Sequence, residues 1–256
     1  MKKVTLLFFA TALSTIHTYA QREWKNWNGI NVQIPVVKKL DVQLGHTRAY
    51  NLSDKYRNEF NQTAFQFRYD HNRHWDFSTG LQIIKPVSAT ESRQRFFVRA
   101  AYTARVLDKK FNWTNSLRID QNSKNERRFR QRIIVSTRLA TRKRLEFLNL
   151  TPSVMYTMFY NIGGSPIRYY DANSILIDTD TPDGFHRGRF TANLNSKIND
   201  YLRLNLYFMT QTEFNFLSSP TNKMNVYDPV RNRTLRPFDN FNVIGATLNV
   251  SLDELF

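Results

Sequence analysis

The sequence contains no cysteine, which excludes a disulfide scaffold and any chemistry that needs a thiol. After the N-terminal region, no segment approaches the roughly eighteen apolar residues that a membrane-spanning helix requires. Glycine and proline are scarce, with eight of each, and no stretch rich in glycine, serine or proline separates two halves. We therefore expect one domain rather than two domains joined by a linker.

Motifs of the common catalytic and cofactor sites are also missing. The sequence has no glycine-flanked serine elbow, no histidine and glutamate pair at metal-binding spacing, and no glycine-rich phosphate loop. His186 follows Asp180 and Asp183 in a long polar segment, and such a pair can activate water in a hydrolase. A loop histidine beside aspartates more often forms polar surface, so the sequence predicts no catalytic residue, metal or cofactor.

Acidic residues are few relative to basic ones, 21 against 37, so the net charge is +16. An excess of this size suits nucleic acid, anionic lipid headgroups or an acidic solute. Lys2 and Lys3 precede an apolar run over residues 4–13, and small residues end at Ala20. This pattern predicts a cleaved signal peptide over residues 1–20, and export argues against a nucleic-acid partner.

Residues 93–106 show the pattern on which the fold prediction depends. Alternate positions are apolar or small, and most of the intervening positions are arginine, so a strand has one apolar and one cationic face. A helix would mix the two sets and have no apolar face. In a soluble sandwich the apolar face would be core, whereas in an outer-membrane barrel it would contact lipid and the arginines would line the lumen.

The remaining chain favours the barrel. Segments of about ten residues repeat the same alternation, which is the length of a membrane-spanning strand. Short turns near residues 37, 71, 108, 142 and 199 alternate with longer loops near 52, 88, 124, 161–185 and 215–238. The sequence predicts an all-β, antiparallel transmembrane β-barrel over residues 21–256. Eleven strands are evident, and because bacterial barrels use even numbers we expect about 12, with 10–14 allowed. A further strand over residues 21–28, or an N-terminus inside the lumen, would account for the odd count.

The chain also resembles a known family. It has an early Trp27, arginine-rich strand starts, paired short turns and a terminal Phe256. In these features it resembles a Bacteroidetes family of outer-membrane β-barrels that is catalogued only as a domain of unknown function. The resemblance implies the outer membrane of a Gram-negative bacterium and a barrel fold, and it implies no activity. Phe256, after alternating apolar residues, also resembles the C-terminal signal that the barrel-assembly machinery reads.

A short arginine motif recurs at the starts of predicted strands. Residues 57–60, 93–96 and 187–190 share Arg-x-Arg/Glu-Phe, and residues 128–132 are a relative. Because each copy follows a longer loop, we expect the arginines at one depth in the lumen and the phenylalanines toward lipid. Arginine forms bidentate contacts with carboxylate, phosphate or sulfate. The predicted anion-binding collar comprises Arg93, Arg95, Arg99, Arg128, Arg130, Arg132, Arg187 and Arg189.

Two functions besides the hydrolase stay open. An open, cationic lumen would make the protein a narrow channel or binding barrel for an anionic small solute. Alternatively, acids of lumen parity would pair with the arginines and block the lumen of a structural or accessory barrel that partners other outer-membrane proteins. Those acids are Asp41, Asp76, Asp120 and Glu213. The tryptophans are expected at strand ends near the lipid interface, at Trp24, Trp27, Trp75 and Trp113.

Overall fold

The computed structural model describes residues 22–252, so the predicted signal peptide and Phe256 lie outside the described residues. Fifteen strands occur in this range. Their bounds are β1 Glu23–Val37, β2 Leu40–Asn51, β3 Arg57–Asp70, β4 Trp75–Pro86, β5 Arg93–Val106, β6 Phe111–Asn122, β7 Gln131–Thr141, β8 Leu150–Ile162, β9 Ile167–Tyr170, β10 Leu176–Asp180, β11 Gly184–Lys197, β12 Leu202–Phe216, β13 Val226–Asp228, β14 Arg233–Leu235 and β15 Phe241–Ser251. A 3₁₀ turn, Phe147–Asn149, precedes β8.

Eleven of these strands form a closed barrel in the order β1-β15-β12-β11-β8-β7-β6-β5-β4-β3-β2. The predicted all-β barrel is confirmed, and its strand number falls within the expected range. One detail differs, because β1 and β15 are parallel while the other neighbouring barrel strands are antiparallel. When an odd number of strands alternate in direction, the first and the last strand run the same way. They are therefore parallel where they pair to close the barrel. Residues 23–28 of the 21–28 segment belong to β1 rather than to a twelfth strand.

The two faces of the wall differ as the sequence predicts. In β5, Phe96 is 53% exposed on the outside, whereas Phe97 is 1% exposed inside the barrel. The same alternation places large exposed apolar side chains on the outside of every barrel strand; examples are Ile30, Leu44, Phe65, Leu81, Val98, Leu117, Val135, Val154, Leu194, Leu206 and Ile244. A wall with an apolar outside and a polar inside is the arrangement of a barrel surrounded by lipid.

The two ends of the barrel differ in their connections. One end has the short turns, and the other has the longer loops, two of which contain hairpins formed by β9 with β10 and by β13 with β14. Ile167, Tyr169 and Leu235 pack together and join the two hairpins over this long-loop end. Burial and the nearby Asp180 carboxylate raise the pKa of Tyr169, whose hydroxyl donates a hydrogen bond to the carbonyl of Lys223.

Two aromatic side chains expected in lipid instead face the lumen. The pairing of β2 with β3 is regular up to Phe60, which lies opposite the fully buried Ala49 and has the same inward parity as Gln66 and Arg68. Phe60 packs edge-on against Trp27, at 5.5 Å between ring centroids. Alternation within β3 therefore turns Phe60 inward, and the bulge changes the faces only of the residues beyond it, Asn58 and Arg57. Trp27 lies opposite Gly245 in β15 and packs on Phe241, inside the barrel.

Within residues 22–252, no helix is long and apolar enough to cross a bilayer.

Candidate functional site in the barrel lumen

The centre of the lumen's long-loop half is a carboxylate held by three arginines. Asp120 of β6 has no solvent exposure. Its oxygens lie 2.8 Å from Arg132 Nη2, 2.5 Å from Arg118 Nε and 3.5 Å from Arg95 Nε. These arginines come from β7, β6 and β5, so one carboxylate ties three adjacent strands together. A buried carboxylate needs such charged donors because an unpaired charge is very costly to bury.

A second buried acid links the arginines to the loop before β15. Glu213 of β12 accepts hydrogen bonds from the guanidinium group of Arg187 and from Arg128 Nη1, the latter at 3.4 Å. Its other oxygen accepts the backbone N–H of Asp239 at 2.8 Å. Glu213 therefore fixes both the wall and the loop that crosses the end of the lumen.

Aromatic rings fill the space between these ion pairs. The Arg189 guanidinium carbon lies 5.1 Å from the centre of the Phe159 ring and 5.8 Å from that of Trp27, while Arg189 Nε donates to Gln211 at 2.8 Å. Arg132 lies 4.8 Å from the Phe159 ring. Contacts of this kind attract the cation to the ring face and exclude water from it.

Two glycines allow aromatic rings to lie flat against the inner wall. A Cβ atom added at Gly245 would come within 2.2 Å of the Tyr207 ring, and one added at Gly80 would lie 2.3 Å from the backbone oxygen of Phe65 and 2.9 Å from the Phe97 ring. Arg118 in turn lies 3.9 Å above the Phe97 ring. Glycine is needed at Gly245 because a side chain would displace the Tyr207 ring, and at Gly80 because a side chain would also collide with the backbone of β3.

The structure brings half of the predicted collar together and places Arg93 and Arg99 apart from that group. Arg132, Arg187 and Arg189 lie 4.8, 5.9 and 5.1 Å from the centre of the Phe159 ring, and Arg95 shares Asp120 with Arg132. Lower in the barrel, Arg99 Nη1 lies 2.7 Å from Asp76 Oδ1. At the rim, Arg93 Nη1 lies 3.3 Å from Glu126 Oε2.

The collar positions before β7 differ from the prediction. Regular pairing begins at Gln131, so the expected alternation does not extend back to Arg128. Phe129 is buried, Arg130 is exposed, and Arg128 contacts Glu213 from the loop. Only Arg132 of this group lies within the barrel wall. The loop between β6 and β7 extends further along the chain than the sequence pattern indicated. The backbone N–H of Asn122 donates to the Arg130 carbonyl, and this hydrogen bond closes the loop.

Side chains fill the long-loop half of the lumen. Inward-facing residues from strands around the barrel are almost completely buried there, which would not occur around a water-filled pore; they include Phe97, Asp120, Arg132, Phe159, Met209, Gln211, Glu213, Phe241 and Val243. Gln211 Nε2 also donates to the carbonyl of Asp239, in the loop that covers this end. The acids predicted to have lumen parity are confirmed as partners of the arginines at Asp76, Asp120 and Glu213.

The short-turn half is different, because it contains a polar cavity of about 230 Å³. The cavity lies between β1, β2, β3, β12 and β15, with Tyr201 of the β11–β12 turn at its edge. Its polar lining consists of Asn31, Gln33, Gln43, Arg68, Arg203, Asn249 and Ser251. Amides and guanidinium groups therefore form most of the wall.

Arg68 lines this cavity and has a buried donor without a partner in the described residues. Its Nη2 lies 2.9 Å from Asp70 Oδ1, while its Nε is buried without a hydrogen-bond partner in the described residues. A buried donor without an acceptor costs about 1–3 kcal/mol, so an anion that accepted this hydrogen bond would recover that energy. Asp41 lies nearby and accepts a hydrogen bond from Gln33 Nε2 at 2.8 Å.

His186 is not part of an evident catalytic pair. It sits at a bulge in β11 with no solvent exposure, and its Nδ1 lies 3.2 Å from the Phe214 carbonyl. Asp183 accepts the backbone N–H of Gly163 instead. Across the described part of the chain, no three acidic or histidine side chains meet in a metal-binding arrangement.

Sequence reasoning missed the cavity although it placed the faces of its residues correctly. Arg68 and Arg203 alternate with apolar neighbours, which is enough to predict that both face inward. Their proximity depends on the closure of the barrel through the parallel pair of β1 and β15. No local pattern encodes that pairing.

Comparisons with protein-family models and with curated proteins find no match to this chain.

Proposed function

We propose that this chain is a β-barrel of the Gram-negative outer membrane. The supporting observations are the closed ring of strands, the apolar outer wall and the polar lumen. Lipid offers no hydrogen bonds to the backbone, so a strand-built membrane protein must close on itself. Exposed phenylalanine, leucine and valine around the whole wall would favour aggregation in water, whereas in a bilayer they are solvated.

We further propose that the barrel binds a small anion and does not form an open channel. The observation that carries this proposal is the filled long-loop half of the lumen, above a cavity lined by Arg68 and Arg203. Most collar arginines already contact acids or aromatic rings, so we place the anion site in this cavity. Its size suits a solute smaller than a typical drug molecule.

The chemistry of the cavity favours a carboxylate, phosphate or sulfate group with additional hydroxyls. Arg68 offers a buried Nε donor, and Arg203 lines the same cavity. Asn31 and Asn249 side chains bond to each other at 3.0 Å, and Gln66 donates to Gln43 at 3.1 Å. Such amide pairs hold the surrounding polar groups in fixed positions, which lowers the entropy cost of binding.

Citrate titrated calorimetrically into the refolded barrel in detergent tests this function. We expect saturable binding that is weakened about tenfold or more in Arg68→Gln and Arg203→Gln, because a hydrogen bond to a charged group contributes roughly 1.5–3 kcal/mol. Arg105→Gln is the matched control, because Arg105 shares the lumen parity but does not line the cavity. Equal binding by all three variants would place the anion elsewhere, and no binding of citrate, sulfate or phosphate by the wild type would refute this site.

Planar-bilayer recordings test the absence of an open pore. The wild-type barrel is expected to show no steady conductance, since the buried layer around Asp120 and Glu213 blocks the ion path. A stable, anion-selective current that Arg95→Gln and Arg189→Gln abolish would instead favour a channel formed by the predicted collar.

A structural or accessory barrel is the second candidate, and the acid-bound arginines favour it. Arg95, Arg118 and Arg132 share Asp120, an arrangement that braces adjacent strands. If the cavity binds no anion and the barrel conducts no current, bracing and contact with other outer-membrane proteins would be the role left for this lumen.

A further inference from the structure

The outer wall has an apolar groove of about 380 Å³ that crosses β5, β6, β7, β8 and β11. Its lining includes Leu107, Trp113, Thr137, Leu139, Val154 and Phe190. The groove exists because Thr137, a small side chain, lies between bulkier neighbours on the outer face. Trp113 Nε1 donates a hydrogen bond to Thr137 Oγ1 at 2.8 Å, which holds the indole at the edge of the groove and satisfies its polar hydrogen.

Two adjacent turns below this groove carry a cluster of positive charge, which we call the basic rim. It consists of Lys109, Lys110, Arg142, Lys143 and Arg144, all of them exposed. Arg142 joins the two turns, because its backbone N–H and its Nη1 donate to the carbonyls of Lys110 and Lys109, at 3.0 and 2.7 Å. Asp108 and Glu146 are the acids in the same turns, so cations exceed acids.

Exposed apolar side chains accompany these cations. Leu107, Leu145 and Leu148 in the same turns are about half to two-thirds exposed. An apolar surface adjoining lysine and arginine is typical of segments at the boundary between acyl chains and headgroups. The combination distinguishes this side of the barrel from a turn that meets water alone.

We infer that the groove and the basic rim together bind an anionic phospholipid of the inner leaflet. The acyl chain would lie along the groove, and the phosphate would contact the basic rim. Thr137 is four residues above Thr141 at the end of β7, or about 13 Å along the strand. An acyl chain whose headgroup contacts the basic rim would therefore reach Thr137 with the part of the chain nearest the headgroup. This inference rests on the proposed outer-membrane location.

Fluorescence quenching by brominated lipids tests the inference, because bromine on an acyl chain quenches only the tryptophans that it contacts. The refolded barrel in detergent micelles would be titrated with brominated phosphatidylglycerol and with brominated phosphatidylcholine. The signal of Trp113 is obtained by difference from Trp113→Phe. We expect half-maximal quenching of Trp113 at a concentration of phosphatidylglycerol at least about fivefold lower than that of phosphatidylcholine. A difference of this size corresponds to the attraction between an anionic lipid and roughly one nearby lysine or arginine.

The variants separate the two parts of the site. Joint replacement of Lys109, Lys110 and Lys143 by glutamine should remove the preference for phosphatidylglycerol. The contacts that join the two turns use the backbone carbonyls of Lys109 and Lys110, so the replacements leave them in place. Thr137→Phe fills the groove and should reduce quenching by both lipids. Lys38→Gln with Lys39→Gln, in the β1–β2 turn, is the control and should leave the preference intact.

Several results would overturn the inference. Equal quenching by both lipids, or a preference that survives loss of the three lysines, would exclude a headgroup site at the basic rim. No quenching of Trp113 in a barrel that is embedded in bilayers would show that protein, such as a second copy, covers the groove. A chain that fails to enter bilayers would refute the proposed outer-membrane location instead.

Discussion

At the scale of single residues, charge inside the lumen is organised around two acids. Asp120 and Glu213 each accept hydrogen bonds from more than one arginine, and both are inaccessible to solvent. Because several guanidinium groups depend on each carboxylate, loss of one acid leaves more than one buried cation without compensation. The arginines therefore act as a structural layer in addition to any role toward solutes.

Replacement of Asp120 by asparagine is expected to destabilise the barrel by about 3–5 kcal/mol, the cost of breaking a buried ion pair. Asp70→Asn is the matched control, since Asp70 pairs with Arg68 in a partly exposed position where a salt bridge contributes about 0–1 kcal/mol. Urea unfolding of the refolded barrels, followed by tryptophan fluorescence, measures both free energies. Similar losses in the two variants would contradict a special role for the buried layer.

The contact of Tyr207 with Gly245 gives a second prediction at this scale. Gly245→Ala should cost about 1–3 kcal/mol of unfolding free energy, because the new methyl group overlaps the Tyr207 ring. Tyr207→Leu in the same chain should make room for it, so the double variant should lose less than the sum of the single losses. Additive losses in urea unfolding would show that the ring moves away freely.

At the scale of elements, simple alternation explains most strands, whereas the recurring arginine motif misplaces residues at two strand starts. All of β5 follows the predicted faces. In β3 Phe60 shares the inward parity of Gln66 and Arg68, although the arginine motif predicted it toward lipid, and before β7 the loop continues to Arg130. Both departures lie at the long-loop end, where backbone pairing gives way to loops that cover the lumen.

An arginine scan across β5 tests the assigned faces. Ala100→Arg places a charge on the outer wall and should reduce assembly, because an arginine at mid-bilayer costs about 2–4 kcal/mol. Thr103→Arg faces the lumen, where Thr103 bonds to Thr114, and should assemble nearly as well as the wild type. The folded fraction on unheated gels measures both. Equal assembly of the two variants would mean that the outer wall does not contact lipid.

At the scale of the whole molecule, the odd number of strands places the described ends of the chain on opposite sides. β1 begins beside Phe241 at the long-loop end, while β15 finishes at Ser251 among the short turns. Eleven strands also give a lumen narrow enough for the Arg189 side chain of β11 to contact rings from both β1 and β8. The closed long-loop end follows from this narrow bore together with the two loop hairpins.

The whole barrel should behave as an outer-membrane protein during fractionation. After removal of the predicted signal peptide, we expect the chain in the outer-membrane fraction and, on gels, a faster-migrating band before heating than after it. Both properties arise because a closed barrel keeps its backbone hydrogen bonds in detergent until it is heated. Recovery as a soluble periplasmic monomer would contradict the proposed location.

The sequence by itself determined the class of fold, the faces of nearly all strands and the difference between the two ends. These properties follow from local alternation and loop length, which each segment carries independently. Only the tertiary structure decided which arginines are neutralised, that the long-loop half is filled, and that Arg68 and Arg203 line one cavity. The reason is physical: ion pairs and cavities depend on which strands become neighbours when the barrel closes and on small shifts at bulges, and neither is recorded in the period of a single strand.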